Sequence, residues 1–227
     1  MNLRRIAIIA AMPGELKPLI RGWSHETRHG VDLWRSRHGE DEMIATCAGA
    51  GVNAAKRAFA EIEKGGAIDA VFSVGWAGAL SEEFVAGQAY RVSGVIDART
   101  RERFNAAGES AECWLVTSDK VADQAEKRRL AAAHGAGLVD MEAAGVARLA
   151  AERGIPFYCI KGVSDGLADR LPDFNRFISA EGKFQQIRFV LFAKLRPWLW
   201  PMLLRLGKNS KKSAQGIRDA LFNILKD

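Results

Sequence analysis

The chain has 227 residues, of which 48% are apolar and 26% charged, and a formal net charge of +6. This composition suits one folded body of generous size, and no stretch reaches the roughly 18 uncharged apolar residues of a spanning helix. Residues 181–227 hold ten Lys/Arg against three Asp/Glu, a net of +7, which leaves −1 for residues 1–180. The body therefore lacks the basic field that nucleic-acid binding requires.

Residues 5–11 read as a buried first strand rather than a signal peptide, because Met12-Pro13-Gly14-Glu15 turns at once into a helix. Glu15 sits in the first turn of that helix, where an acid complements the helix dipole or faces a ligand at the mouth of the strand. Residues 31–37 and 43–47 read as a hairpin. Gly49 and Gly51 then form a Gly-rich turn that can present backbone N–H groups to an anion before a helix over residues 53–64. The spacing Gly49-x-Gly51-x-x-Ala54 also fits the dinucleotide fingerprint. The acid which that motif wants at the end of the next strand is offered only by Asp69, which begins its strand. Residues 68–74 form that strand, closed by a tight turn, Gly75-Trp76-Ala77-Gly78, of the kind that lets backbone approach a ligand. Strands are expected at 88–97 and 113–116, with a loop over 98–110 and a polar helix opening at Ser118-Asp119. Cys47, Cys113 and Cys159 lie in separate apolar runs without His or Cys partners. They read as buried thiols in a reducing cytoplasm, with no metal site.

The most informative stretch is 138–165. Asp140 and Glu142 stand at the foot of a helix whose apolar stripe is Val146, Leu149 and Ala150, and Gly154 and Pro156 end it. A strand over 157–160 follows and leads into Lys161, Gly162, Ser164 and Asp165, where open α/β sheets place their ligands. Beyond it, residues 169–177 read as a turn and a short helix bearing Phe174 and Phe177. The alternation of strands and helices predicts an α/β fold: a three-layer α/β/α sandwich around a mixed, mostly parallel sheet.

Residues 181–227 form a C-terminal amphipathic extension to a catalytic domain over 1–180. Leu195, Trp198, Leu199, Met202, Leu203 and Leu206 recur at helical spacing among basic residues, while Pro197 and Pro201 argue against one straight helix. Basic residues mixed with Trp, Phe and Leu describe an interfacial segment, so peripheral contact with the inner face of a membrane is expected. The competing reading packs this segment on the body or on a sister subunit.

Taken in order, 8–12 with Glu15, 49–55, 73–78, 139–143 with its Met141-Glu142 pair, and 161–165 with its Ser164-Asp165 pair resemble the purine nucleoside phosphorylase and methylthioadenosine/S-adenosylhomocysteine nucleosidase superfamily. The resemblance spans residues 5–177 and is nearest to the hopanoid-associated phosphorylase branch. It implies cleavage of the N-glycosidic bond of an adenine nucleoside, without a cofactor, by a homodimeric enzyme that uses water or inorganic phosphate. Asp165, oriented by Ser164, would protonate the purine, and Glu142 would stabilise the sugar cation over Met141. Glu15 would polarise the incoming water, with Ala11, Gly49 and Gly51 on the water or phosphate side. Trp76, Ala77, Gly78, Val121, Asp140, Lys161 and Phe174 would line the substrate. Three positions depart from the nucleosidase pattern. Trp76 replaces a small hydroxylated residue, Lys161 replaces an arginine whose forked hydrogen bonds a lysine cannot make, and Val121 stands nearest to where a stacking aromatic is expected. The short segment between Asp97 and Trp114 implies an open 5′ side, and hence a bulky lipid substituent such as that of adenosylhopane. The alternatives are a methylthioadenosine/S-adenosylhomocysteine-type nucleosidase and, in another class, an inactive membrane-recruited nucleoside-binding module.

Overall fold

The structure is a computed structural model that describes residues 5–39, 41–47, 49, 51–108, 112–179 and 184–226. Ala48 and Ala50 of the Gly-rich turn, the end of the 98–110 segment and the boundary at 180/181 lie outside the described residues.

Ten strands join in one mixed sheet. Its centre is parallel: β4 (Asp41–Cys47), β1 (Arg5–Ala10), β5 (Ala70–Ala79) and β10 (Phe157–Asp165) lie side by side. Every residue of β1 is buried, as expected for a strand covered on both faces. Alternation sends Ala7 and Ile9 to one core and Ile6, Ile8 and Ala10 to the other. β3 (Val31–His38) pairs antiparallel with β4 as the hairpin pattern predicts, and β2 (Ser24–Arg28) adds an edge strand. No apolar alternation announced β2, since four of its five residues are exposed.

At the other end the sheet closes on itself. β10 pairs with β6 (Ala89–Asp97), β6 with β8 (Cys113–Thr117), β8 with β9 (Leu138–Asp140), and β9 returns to β5. Five strands thus make a small ring that shares the β5–β10 pair with the open sheet. β7 (Arg103–Asn105) folds back on β6 inside the segment expected to be a loop; three residues are too few to leave a period.

α2 (Val52–Glu63) and α4 (Ala143–Arg153) pack together on one face. α1 (Pro13–Leu16) and α6 (Trp200–Lys226) cover the other, which gives the three layers. α3 (Gln124–His134) starts six residues later than the expected Ser118, because the Asp123 side chain caps it by accepting from the Glu126 N–H.

The C-terminal region has two parts. α5 (Gln186–Lys194) and a 3₁₀ turn (Pro197–Leu199) precede α6. The chain breaks where Pro197 stands, whereas Pro201 sits in the first turn of α6, where its missing N–H leaves no bond unmade. Ser213, Ala214, Ile217 and Leu221 of α6 are buried against β10 and its neighbours. The second half of α6 is therefore part of the core.

Candidate active site

The site is built on the central strand pair. β10 runs on through Lys161 to Asp165, and β5 runs on through Gly75 to Gly78, where the sequence suggested that each strand had already ended. The registers place Lys161 opposite Gly75 and Asp165 opposite Gly78. Both glycines are there because acidic side chains occupy the space beside them. A Cβ on Gly75 would lie 2.9 Å from Glu15 Oε1, and one on Gly78 would lie 3.2 Å from Asp165 Oδ2.

Glu15 is buried at the start of α1. Its Oε2 accepts from the N–H groups of Ala11 and Met12, both at 2.8 Å, and its Oε1 accepts from the Trp76 N–H at 2.8 Å. Burial raises its pKa, against the pull of those three N–H groups and of Lys161. The Trp76 indole makes contacts of its own. It packs on Gly14 and donates from Nε1 to the Ser210 carbonyl of α6 at 3.0 Å. Gly49 donates its N–H to the Ala11 carbonyl at 3.2 Å, and Gly51 stands at the N-cap of α2 with φ +91°. Gly49 thus brings the Gly-rich turn against the end of β1, and Gly51 starts the helix that follows.

Lys161 is the hub of a buried polar cluster. Its Nζ lies 2.9 Å from Asp140 Oδ2 and donates to Ser73 Oγ at 3.2 Å. Asp140 Oδ1 accepts from Thr117 Oγ1 at 2.7 Å, and Oδ2 accepts from the Ala143 N–H at 3.0 Å. Burial opposes the charge on Lys161, but Asp140, Cys159 and Glu142 outweigh it, so the lysine is held well above its ordinary pKa. Glu142 occupies the N-cap position of α4. Burial first, then Asp140 and Glu15, push its carboxyl up to about 8, against Lys161. Glu15, Asp140, Glu142 and Lys161 therefore act as one electrostatic unit, although they come from three separate places in the chain. The N–H of Met141 faces Glu142 Oε2 at 3.3 Å.

Asp165 lies at the end of β10 with both oxygens engaged. Ser164 Oγ donates to Oδ1 at 2.5 Å, with the Ala77 carbonyl as a second acceptor at 3.3 Å, and Lys127 Nζ meets Oδ2 at 2.5 Å. Lys127 was not legible as a site residue. It stands in a run of Lys and Arg on α3 whose other basic residues are exposed, yet it is itself 1% exposed. The faint signal is Leu130, buried at i+3 on the same face. Thr117 and Ser73, which support Asp140 and Lys161, were missed because small hydroxyl residues inside strands carry no distinguishing pattern.

Val121 and Phe174 come together through a neighbour that the sequence did not flag. Asn175 Oδ1 accepts from the Val121 N–H at 2.8 Å, and Nδ2 donates to the Val121 carbonyl at 3.1 Å. The Phe174 ring joins an aromatic group with Phe184 and Phe189 of the C-terminal region. Ser164 and Asp165 lie close beside the first turns of α6, next to Leu171, Met202 and Leu206, with no space between these described residues large enough for a water molecule. Among the described residues no group of three or more His, Cys, Asp or Glu could hold a metal ion. The three cysteines are buried, and burial pushes each thiol up to about 12.

The sequence profile of the phosphorylase superfamily matches residues 5–113 and 113–190. The chain belongs to this superfamily. A search of curated proteins finds no match. Among solved structures, the chain is similar to a Helicobacter pylori methylthioadenosine nucleosidase mutant with 5′-methylthioadenosine in its active site (TM-score 0.74, 14% identity, 100% of this chain and 99% of that one). It is also similar to the futalosine hydrolase of Helicobacter pylori (TM-score 0.74, 14% identity, 99% and 98%) and to an Arabidopsis thaliana 5′-methylthioadenosine nucleosidase (TM-score 0.72, 18% identity, 99% and 97%). At these identities the likeness establishes the fold.

Proposed function

We propose that this member of the superfamily cleaves the N-glycosidic bond of an adenine nucleoside that carries a large apolar 5′ substituent, and releases adenine. The observation that carries the reading is the pairing of a Ser164-held acid, Asp165, with a separate carboxylate cluster, Glu142 and Glu15, across one strand pair. Glycosidic cleavage needs this division: a proton for the departing base, and negative charge for the oxocarbenium-like sugar. Asp165 gives the proton to purine N7, Glu142 grips the ribose and stabilises its developing charge, and Glu15 orients the attacking water. Water is favoured over phosphate because the buried cation nearest to Glu142, Lys161, is already paired with Asp140.

In the branch that the sequence resembles, the substrate is adenosylhopane. Support for an apolar substituent comes from the C-terminal region. Seven of the eight exposed large apolar side chains among the described residues lie between Ile187 and Leu204: Ile187, Val190, Leu191, Leu195, Trp198, Trp200 and Leu204. From 184 to 218 there is no acidic residue, while Arg188, Lys194, Arg196, Arg205, Lys208, Lys211, Lys212 and Arg218 are basic. An apolar row with exposed tryptophans among cations complements an anionic lipid surface. The proposal therefore includes peripheral contact with the cytoplasmic face of a membrane. No helix among the described residues is long and apolar enough to cross one. Release of free adenine from an adenosine derivative tests the reading of the site.

A further inference from the structure

We infer that Lys127 supplies the proton with which Asp165 acts, so that the acid of this site is a lysine–aspartate pair. The inference deepens the reading of the site given above and rests on it.

Both oxygens of Asp165 are met by donor groups, Ser164 Oγ on Oδ1 and Lys127 Nζ on Oδ2, each at 2.5 Å. A carboxylate held in this way is an acceptor on both sides. The two donors are equally close, and of the two only the ammonium group of Lys127 can give up a proton without leaving an alkoxide. The pair is enclosed, with side-chain exposures of 1% for Lys127 and 8% for Asp165. A buried lysine costs solvation that must be offset by a partner, and α3 has ample exposed positions for a lysine that serves only solubility. The site is shaped around the ammonium group. Lys127 Nζ also donates to the Gly166 carbonyl at 2.7 Å, and a Cβ on Gly78 would lie 3.0 Å from Lys127 Cε. Two further acids of this corner have partners of their own. Asp169 and Arg205 pair with each other at 2.6 Å, and Asp123 caps α3 through the Glu126 N–H.

The C1′–N9 bond breaks and its electron pair goes to the purine. Lys127 passes one of its three protons to Asp165, and Asp165 passes a proton to N7. Water adds to C1′ and gives its proton to Glu15. When the products leave, Lys127, left as a neutral amine, takes a proton from solvent and Glu15 releases to solvent the proton it took from water, so both groups return to their starting state.

The test uses two substrates that share a sugar and differ in leaving group: 5′-octylthioadenosine and 4-nitrophenyl 5-octylthio-β-D-riboside. The nitrophenolate departs without protonation. In Lys127→Met, kcat on the adenine compound should fall by about 10²–10⁴-fold, the range of general-acid effects, while kcat on the nitrophenyl compound stays close to that of the unmodified enzyme. Equal losses on both compounds, or none on either, overturn the inference. The unmodified enzyme gives a reading that does not depend on the folding of a variant. Its kcat should fall on the alkaline side for the adenine compound and not for the nitrophenyl compound, and an identical alkaline fall on both overturns the inference. An enzyme inert on both compounds overturns the reading of the site itself, and the inference with it.

Discussion

Lys161 Nζ and Asp140 Oδ2 stand 2.9 Å apart, with side-chain exposures of 1% and 0%, at the junction of β10, β9 and α4. The pair fixes the cluster that holds Glu142. Breaking a buried pair from one side leaves an uncompensated charge, so Asp140→Ala should destabilise the protein by about 3–5 kcal/mol. Urea denaturation checks this, and a loss well under 1 kcal/mol would mean that water reaches Lys161.

Glu142 keeps its proton to about pH 8 in the folded protein, whereas the ordinary glutamate value is 4.5. Between those values the folded state binds more protons than the unfolded chain. The stability linked to Glu142 is therefore present at low pH and is lost as pH rises through about 8. Glu142→Gln should flatten the fall in stability between about pH 5 and 9, and parallel curves for the two proteins would place the titration elsewhere. In the same variant kcat and kcat/KM should drop together, most near and above pH 8 where Glu142 is ionised, because the missing charge acts in the transition state. A change confined to KM would make Glu142 a binding residue only.

Asp165→Asn keeps the shape of the acid and removes its proton. Turnover on an adenine nucleoside should fall by roughly 10²–10⁴-fold. Turnover near that of the unmodified protein would remove Asp165 from the chemistry.

The three acids were legible because each stands at a change of pattern: Glu15 after a buried strand, Glu142 at a helix start, and Asp165 at the end of an apolar run. The lengths of β5 and β10 were not. Gly75, Gly78 and Gly162 read as breaks, yet these residues lie within strands, since the first two make room for buried acids and lysine brought from elsewhere in the chain. Lys127 was hidden for the same reason. Its partner lies 38 positions away, and nothing local distinguishes it from the exposed cations of α3. In the C-terminal region the stripe read from the sequence, Leu195 to Leu206, overlaps the exposed face over 187–204, whereas the core-packing residues Ala214, Ile217 and Leu221 lie beyond it and were not picked out.

That division sets the form of the membrane test. Removing the whole region would strip Ile217 and Leu221 from the core, so the exposed side chains are the ones to change. The full chain should sediment with vesicles of phosphatidylcholine and phosphatidylglycerol at low salt, and salt should release part of it, each basic residue contributing on the order of 1 kcal/mol. Leu195→Ser with Trp198→Ser and Trp200→Ser should abolish sedimentation while activity on a water-soluble nucleoside persists. If the full chain ignores vesicles and these changes instead lower its mass in analytical ultracentrifugation, the face is covered by a second copy.

The central claim is cleavage of an adenine nucleoside, and chromatography of the products tests it most directly. The purified chain is incubated with adenosine, 5′-methylthioadenosine and a lipid-linked adenosine, each with and without inorganic phosphate. The expected result is free adenine, released fastest from the lipid-linked compound and without need of phosphate. Absence of adenine from all three compounds under both conditions would contradict the claim.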